Sequence, residues 1–533
     1  MKANNVSDIT VKKSYWISFL KFSAIFLVFA FPIIWGHAFY ADDFAHTLHE
    51  PKSWLHDHRP FAYLLELVLG PLSVIDISPL FQVLGIFVLC GSITFLYETW
   101  KNQIHIPLIS LSFIVCQPFF IENLSYRYDS FFMCVSMSLA LCPFFMERIY
   151  GRGSLKLYLA EYFFVFLFLN TYQPAINFYF SICLFEAIIL LVKGTYLRSI
   201  AMQLGKRVFI AILSVATFVC ETHLFFKKSH EYVAEHSELI RNISKILENI
   251  RTVFHLIREY FSNFYGVLTL LIILLGVVSC SLIFSREKKA FFKKTIVLLG
   301  LCAGLLLTFP GVQLLLNFPT FNPRTFLSFG TILAVGSFLS MERGLPKVFR
   351  CVNMALVGYV LIQNISLSAS YENALAAQNH YREYMASQMV EDISHLRSQY
   401  NDSVVGHGGQ QQWFWGTLGR EPEAPLSHRI LVAEPILRDI VNETLQFSLY
   451  VPSPWIMHDI LLAQGLPEDV NTFVDLFGDE GKNYQGTPLW KGIIHDVDTC
   501  HVDEVITHNL YNTYKVGHYI ISDYQKHCTT RNM

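Results

Sequence analysis

Residues 15–43 read YWISFLKFSAIFLVFAFPIIWGHAFYADD. From Tyr15 to Trp35 nearly every residue is apolar, with Lys21 the one charge, and that length spans a bilayer core. The run then ends in Asp42-Asp43. Two adjacent carboxylates at the mouth of a membrane span are costly in lipid, so they belong in water or in a polar cavity. The stretch therefore sets both the fold class and the first place to look for a general base. A signal peptide is the competing reading, but the run is long and lacks a small-residue cleavage site.

The rest of the chain repeats the pattern. Of 533 residues 53% are hydrophobic and 15% charged, against about 25% charged in soluble domains. Apolar runs fall near 15–37, 80–97, 104–121, 130–147, 155–171, 174–192, 208–226, 262–284, 294–312, 325–340 and 349–369, which predicts eleven spans. The short connections alternate in charge. One set carries Lys12, Lys13, Lys101, Arg148, Arg152, Lys193, Arg198, Lys206, Arg207, Arg286 to Lys294, Arg343, Lys347 and Arg350; the other carries only Lys52, Arg59, Arg127 and Arg324. The positive-inside rule puts the first set in the cytoplasm, the N-terminus with it, and Asp42-Asp43 outside.

Residues 61–79 contain Glu66, Gly70, Pro71 and Asp76 and read as an interfacial or re-entrant helix pair on the outer face. Between 227 and 261, Ile240, Ile243, Leu247, Ile250 and Phe254 recur at helical spacing, an amphipathic helix lying on the membrane or over a cavity. Residues 1–370 thus form an all-α polytopic domain, and 371–533 a small exported α/β domain. That domain starts with a helix over 371–399, followed by β-like runs at 403–405 and 429–433. Cys500 and Cys528, the two cysteines outside apolar stretches, are candidates for a disulfide in an oxidising compartment. A net charge of −2 argues against a nucleic-acid partner. No CxxC or Walker A pattern occurs.

The outer loops carry the chemistry. Asp42-Asp43 either caps a following helix or forms a pair in which each carboxylate raises the other's pKa, leaving one a base near neutrality. Glu122-Asn123-Leu124-Ser125-Tyr126-Arg127-Tyr128-Asp129-Ser130 is a dense polar island between two spans. Arg59, Arg127 and Arg324 are either snorkelling or ion-paired with Asp129 or Glu122, or they clamp a phosphate bidentately. His46, His49 and His58 match no metal-site spacing. Asp496-Val497-Asp498 has the form of a nucleotide-sugar DxD, but a single short match in an exported loop reads as ordinary surface.

Taken together, these residues resemble the serotype-converting O-antigen glucosyltransferases, the Gtr family of enteric bacteria and their temperate phages. The resemblance rests on Tyr40-x-Asp42-Asp43, Arg59-Pro60, the 122–130 island, Tyr172-Gln173-Pro174-Ala175, Pro323-Arg324-Thr325 and Tyr371-x-Asn373-Ala374. It covers roughly residues 15–385 and implies a GT-C type inner-membrane glycosyltransferase. Such an enzyme takes glucose from undecaprenyl-phosphate glucose and passes it, with inversion, to an O-antigen (lipopolysaccharide) chain on the periplasmic face, without metal or nucleotide. The carry-over gives Asp43 as base, assisted by Asp42, and Arg59, Arg127 and Arg324 on the donor phosphate. Glu122, Asn123, Tyr126, Tyr128, Asp129, Tyr172 and Gln173 would line the sugar and acceptor pocket. Trp413, Trp415 and Trp455 are candidate platforms for the acceptor polysaccharide, against core packing. A small flippase and a donor-synthesising enzyme are the implied functional partners. The alternatives are the same chemistry on another sugar or acceptor, and a flippase or transporter of lipid-linked saccharide.

Overall fold

The computed structural model describes residues 2–41, 43, 53–69, 77–225, 238–285, 291–342, 344–400, 404–405, 411–419, 421–441, 455–467, 469–472 and 487–528. The chain divides into two compact units. The first holds Met1–His37, Glu50–Ser370 and Glu434–Leu437; the second holds Ala38–His49, Tyr371–Ala433 and Arg438–Met533.

The first unit is helical. Its elements are α1 (Lys2–Gly36), α2 (Ser53–His56), α3 (Pro60–Val68), α4 (Leu80–Lys101), α5 (Leu108–Ser112), α6 (Phe120–Ser125) and α7 (Ser130–Tyr150). They continue through α8 (Leu155–Leu169), α9 (Ala175–Val192), α10 (Leu197–Phe225), α11 (Ile243–Tyr260), α12 (Phe264–Phe284), α13 (Phe291–Leu307) and α14 (Ser328–Ser340). Helix α15 (Lys347–Gln399) starts in this unit and continues into the second. Among the described residues seven helices are long and apolar enough to cross a membrane: Lys13–Gly36 of α1, α4, α7, α9, α10, α12 and α15. The expected runs at 155–171, 294–312 and 325–340 are helical too, but α8, α13 and α14 have only 15, 17 and 13 residues.

The run at 104–121, read from the sequence as a span, is not one continuous helix, although the parallel α4 and α7 require it to bring the chain back across the bundle. It forms the short helix α5, then turns, then the start of α6, with every residue from Ser110 to Ser130 buried. Pro107 and Pro118 each remove a backbone donor and stop a continuous helix. Irregular backbone at membrane depth survives only when protein surrounds it. Here Asn364 Nδ2 donates to the Cys116 carbonyl at 2.7 Å, and Ser110 bonds Ser337 of α14 at 2.9 Å.

Helices α4 and α7 run parallel, Phe81 stacking on Phe131 and Phe95 meeting Phe145 a few turns on. Helices α12 and α14 cross so closely that a Cβ on Gly276 would lie 2.7 Å from the Gly336 carbonyl oxygen. Four helices are tied by one buried cation. Arg207 of α10 reaches Glu186 of α9 and Glu161 of α8 at 2.9 Å each and Glu147 of α7 at 3.5 Å. Helix α11 is amphipathic as expected, and it turns Ile243, Leu247 and Phe254 outward, the pattern of a helix at a bilayer interface.

The second unit is built on a six-stranded mixed sheet: β1 (Val404–Val405), β2 (Gln411–Leu418), β3 (Val470–Thr472), β4 (Glu504–Thr507), β5 (Asn512–Val516) and β6 (Tyr519–Asp523), ordered β1-β2-β6-β5-β4 with β3 beside β2. One face packs on the last turns of α15 through Met385, Met389 and Ile393, and on α17 (Trp455–Ala463). The other packs on α18 (Pro488–Asp498) through Trp490, Ile493 and Val497. Cys500 and Cys528 are joined in a disulfide. Residues 429–433, read as β-like, lie instead in helix α16 (Pro425–Ala433). A run of four apolar residues after Arg429 fits either period, and Pro425 supplies a helix start.

Arg207→Met should strand Glu161 and Glu186 against apolar surroundings, Glu147 keeping its pair with Arg152. The expected loss is about 3–5 kcal/mol, read as a lowered thermal midpoint of the purified protein in detergent. A midpoint equal to wild type would show that the cluster does not hold the four helices.

Candidate functional site

The polar island at 122–130 can be built up from its backbone. Helix α6 carries Glu122 and Asn123; the chain then leaves the helix at Tyr126, whose backbone is extended, and re-enters one at Ser130, with Asp129 at the cap position of α7. This short interruption between two buried helices turns Arg127 and Asp129 out of the helical register. The segment is wholly buried, so each of its polar groups needs a partner in the protein.

Glu122 is fully buried and holds a second segment in place. Its carboxylate accepts the main-chain N–H of Arg324 and lies 3.6 Å from the Arg324 guanidinium. The Arg324 carbonyl in turn accepts from the Tyr172 hydroxyl at 3.0 Å and from Asn123 Nδ2 at 3.3 Å. Arg324 also lies over the Tyr126 ring at 5.1 Å. Three separated stretches therefore fix one arginine: the island, the turn before α9, and the 3-10 turn Pro323–Thr325.

Arg59 is placed by a different set. It sits 3.6 Å from Asp129 and 5.6 Å from the ring centroids of both Trp54 and Tyr172. Just before it, Gln173 Nε2 donates to the His58 carbonyl at 3.1 Å, and the Asn170 carbonyl accepts Phe61 N–H at 3.0 Å. Arg127 donates from Nη1 to the His37 carbonyl at 2.6 Å, at the end of the first span. Arg59 and Arg324 leave 21% and 22% of their side chains accessible, while Arg127 is 9% exposed. Arg59, Arg127 and Arg324 thus share one end of the bundle with Glu122 and Asp129, and accessible guanidinium groups there suit an anion.

Of the expected sugar-pocket residues, Glu122, Asn123, Tyr172 and Gln173 spend polar atoms on protein partners. Burial pushes the Tyr172 hydroxyl well above its ordinary value, with Glu122 adding to the rise, so it remains a donor. Tyr126 and Tyr128 are buried beside the arginines in sequence.

Asp43 lies in the second unit. It is 1% exposed, and its carboxylate accepts the Tyr40 N–H at 2.9 Å while its own N–H donates to the Tyr40 carbonyl. His37 and Ala41 both have positive φ, 52° and 46°, which non-glycine residues adopt at a cost and which clusters at functional sites. Asp42, His46 and His49 lie outside the described residues, and so does the side chain of Trp455. Trp413 and Trp415 are buried in the core against α15, so they are not stacking platforms; their alternation on a central strand sent both inward. Among the described residues no group of three or more His, Cys, Asp or Glu is placed to hold a metal ion.

Sequence reading passed over Glu372, the unnamed member of Tyr371-x-Asn373-Ala374. It is 7% exposed and neither carboxylate oxygen has a hydrogen-bond partner. An acid just past the last apolar run was the available signal.

Comparison with known proteins adds the following. The pattern of the family described as glucosyl transferase GtrII matches residues 31–341, more than half of the chain. Over 161 residues the chain is 30% identical to a protein of Salmonella phage P22 described as an uncharacterized 55.3 kDa protein in the gtrB 5′ region, covering 30% of this chain and 32% of that one. The chain thus spans about a third of the length of this curated relative. No solved structure matches.

Glu122→Ala should destabilise the first unit by about 3–5 kcal/mol, because it leaves the Arg324 charge uncompensated. Glu122→Gln keeps an acceptor for the Arg324 N–H and should cost less than half as much. Equal losses of thermal midpoint in the two variants would remove the charge from the argument.

Proposed function

The chain belongs to the GtrII glucosyl transferase family, and on that premise we propose that it moves glucose from undecaprenyl-phosphate glucose to an O-antigen sugar on the periplasmic face of the inner membrane. The observation that carries the reading is the arginine cluster. Arg59 and Arg324 are held in place by buried carboxylates and aromatic rings, yet remain accessible, as a site for a lipid-linked phosphate requires. A donor of this kind has no nucleotide, so the phosphate itself is the handle.

In the proposed reaction the acceptor hydroxyl oxygen bonds to the anomeric carbon while the bond from that carbon to the phosphate oxygen breaks. The electron pair leaves with undecaprenyl phosphate, and one such displacement inverts the anomeric centre. Asp43 takes the proton from the hydroxyl, with Asp42 orienting it or holding sugar hydroxyls. Arg59 and Arg324 stabilise the charge that develops on the departing phosphate. Arg127 fixes the His37 carbonyl at the end of the first span. Glu122, Asn123, Tyr172 and Gln173 are assigned to positioning the arginines, since their polar atoms already serve that end; Tyr126, Tyr128 and Asp129 are assigned to the sugar pocket, Asp129 while paired with Arg59.

The family resemblance and the alternation of basic loops support the topology: N-terminus in the cytoplasm, arginine cluster and C-terminal domain in the periplasm, eleven crossings counting the three shorter apolar helices and the interrupted run at 104–121. The disulfide of the second unit is in keeping with an oxidising compartment.

Two outcomes test the proposal with purified protein, undecaprenyl-phosphate glucose and a lipid-linked O-antigen acceptor, product read by mass. Asp43→Asn keeps the acceptor for the Tyr40 N–H and should lower transfer by roughly 10²–10⁴-fold without loss of folding; full activity would exclude Asp43 as the base. Arg324→Ala should raise the donor KM and leave the acceptor KM unchanged, and the reverse pattern would reassign the arginine to the acceptor.

A further inference from the structure

The first unit contains a cavity far from the arginine cluster. It has a volume of about 570 Å³, within the range of small-molecule sites. Its walls come from the last turn of α4 and the segment after it (Tyr97, Lys101, His105), from Met341 beyond α14, and from the first turns of α15 (Arg350, Met354). Helix α4 runs parallel to α7, with Phe81 beside Phe131 and Phe95 beside Phe145. The Tyr97–Lys101 turn therefore lies at the opposite end of the bundle from Asp129 and Ser130.

The cavity's chemistry is specific. Among the described residues no acidic side chain lines it, whereas Lys101, His105 and Arg350 do. Lys101 is already engaged by Glu98 and by Ser14. Arg350 is not: its Nε is buried without a hydrogen-bond partner, and burying an arginine donor unsatisfied is costly. Arg350 also sits in the first turn of α15, where the helix dipole adds to the positive potential. The same walls carry Ile106, Pro107, Leu108 and the two methionines. Helix ends that flank apolar spans lie at headgroup depth.

A site that sets cations beside apolar side chains at headgroup level fits an amphiphile with an anionic head. We infer that this cavity binds the phosphate headgroup of a membrane lipid, with Arg350 as the bidentate contact and the methionines against the first carbons of the chains. It is distinct from the donor site proposed above and does not depend on it.

Native mass spectrometry of the full chain in detergent tests this with dioleoyl phosphatidic acid, dioleoylglycerol and inorganic phosphate as probes. Phosphatidic acid should be retained at one per protein and dioleoylglycerol should not. Arg350→Gln should weaken phosphatidic acid binding roughly tenfold or more. Met354→Trp, which fills the cavity and leaves its charges in place, should weaken it as well. Arg148→Gln, an exposed arginine at the same end of the bundle, should bind as wild type does. Wild-type affinity in both cavity variants overturns the site. Inorganic phosphate binding as tightly as phosphatidic acid overturns its assignment to a lipid.

Discussion

Backbone that leaves the helix inside a membrane-embedded bundle must find every hydrogen-bond partner in protein, because lipid offers none. The stretch from Pro107 to Asp129 lives under that constraint, and much of the first unit is arranged to meet it. Asn364 of α15 closes on the Cys116 carbonyl, and Ser337 of α14 meets Ser110. Glu122 takes up the main chain at Arg324, so one irregular segment is made to hold another. A continuous helix would satisfy its own backbone, but it would present side chains only at helical spacing. The interruption is what allows Arg127 and Asp129 to be aimed at the end of the bundle.

The arginines themselves depend on the same solution. Arg324 projects from a 3-10 turn whose carbonyl and N–H are both taken by side chains of other segments, and Arg59 rests between two aromatic rings. Long side chains with about 2 kcal/mol of rotamer entropy each are thus restrained before any ligand arrives. Preorganisation of this kind is how fixed charges gain strength over mobile ones in water.

Much of this was legible from residue order alone. The apolar runs, the polar island and the amphipathic stretch at 243–260 carry strong periodic or compositional signals, and Arg59, Arg127, Arg324, Glu122 and Asp129 stood out as charges beside membrane spans. What stayed hidden follows from tertiary context. The 104–121 run is apolar because it is buried, and burial by protein and burial by lipid select the same side chains. Trp413 and Trp415 look like exposed platforms until a sheet with helices on both faces covers them. The short run at 429–433 fits a strand or a helix equally well. Glu122, Asn123, Tyr172 and Gln173 drew notice as polar residues, but only the fold reveals that they grip backbone. Glu372 was skipped because it stood at an unassigned position of a motif, although its burial without partners marks it more strongly than its neighbours.

Helix α11 bears on the lipid around the protein. Its stripe of Ile243, Leu247 and Phe254 faces away from the bundle, while Asn249 on the opposite side donates to the Leu314 and Leu316 carbonyls. The helix is therefore a fixed ledge rather than a tether free to dip in and out. Lipids below such a ledge must shorten or lean to keep it wetted, whereas those beside α4 or α12 stand at full height. The annulus around this protein has a contour, low on one flank and high on the others. A detergent or nanodisc belt of uniform width would fit three sides and leave the fourth strained.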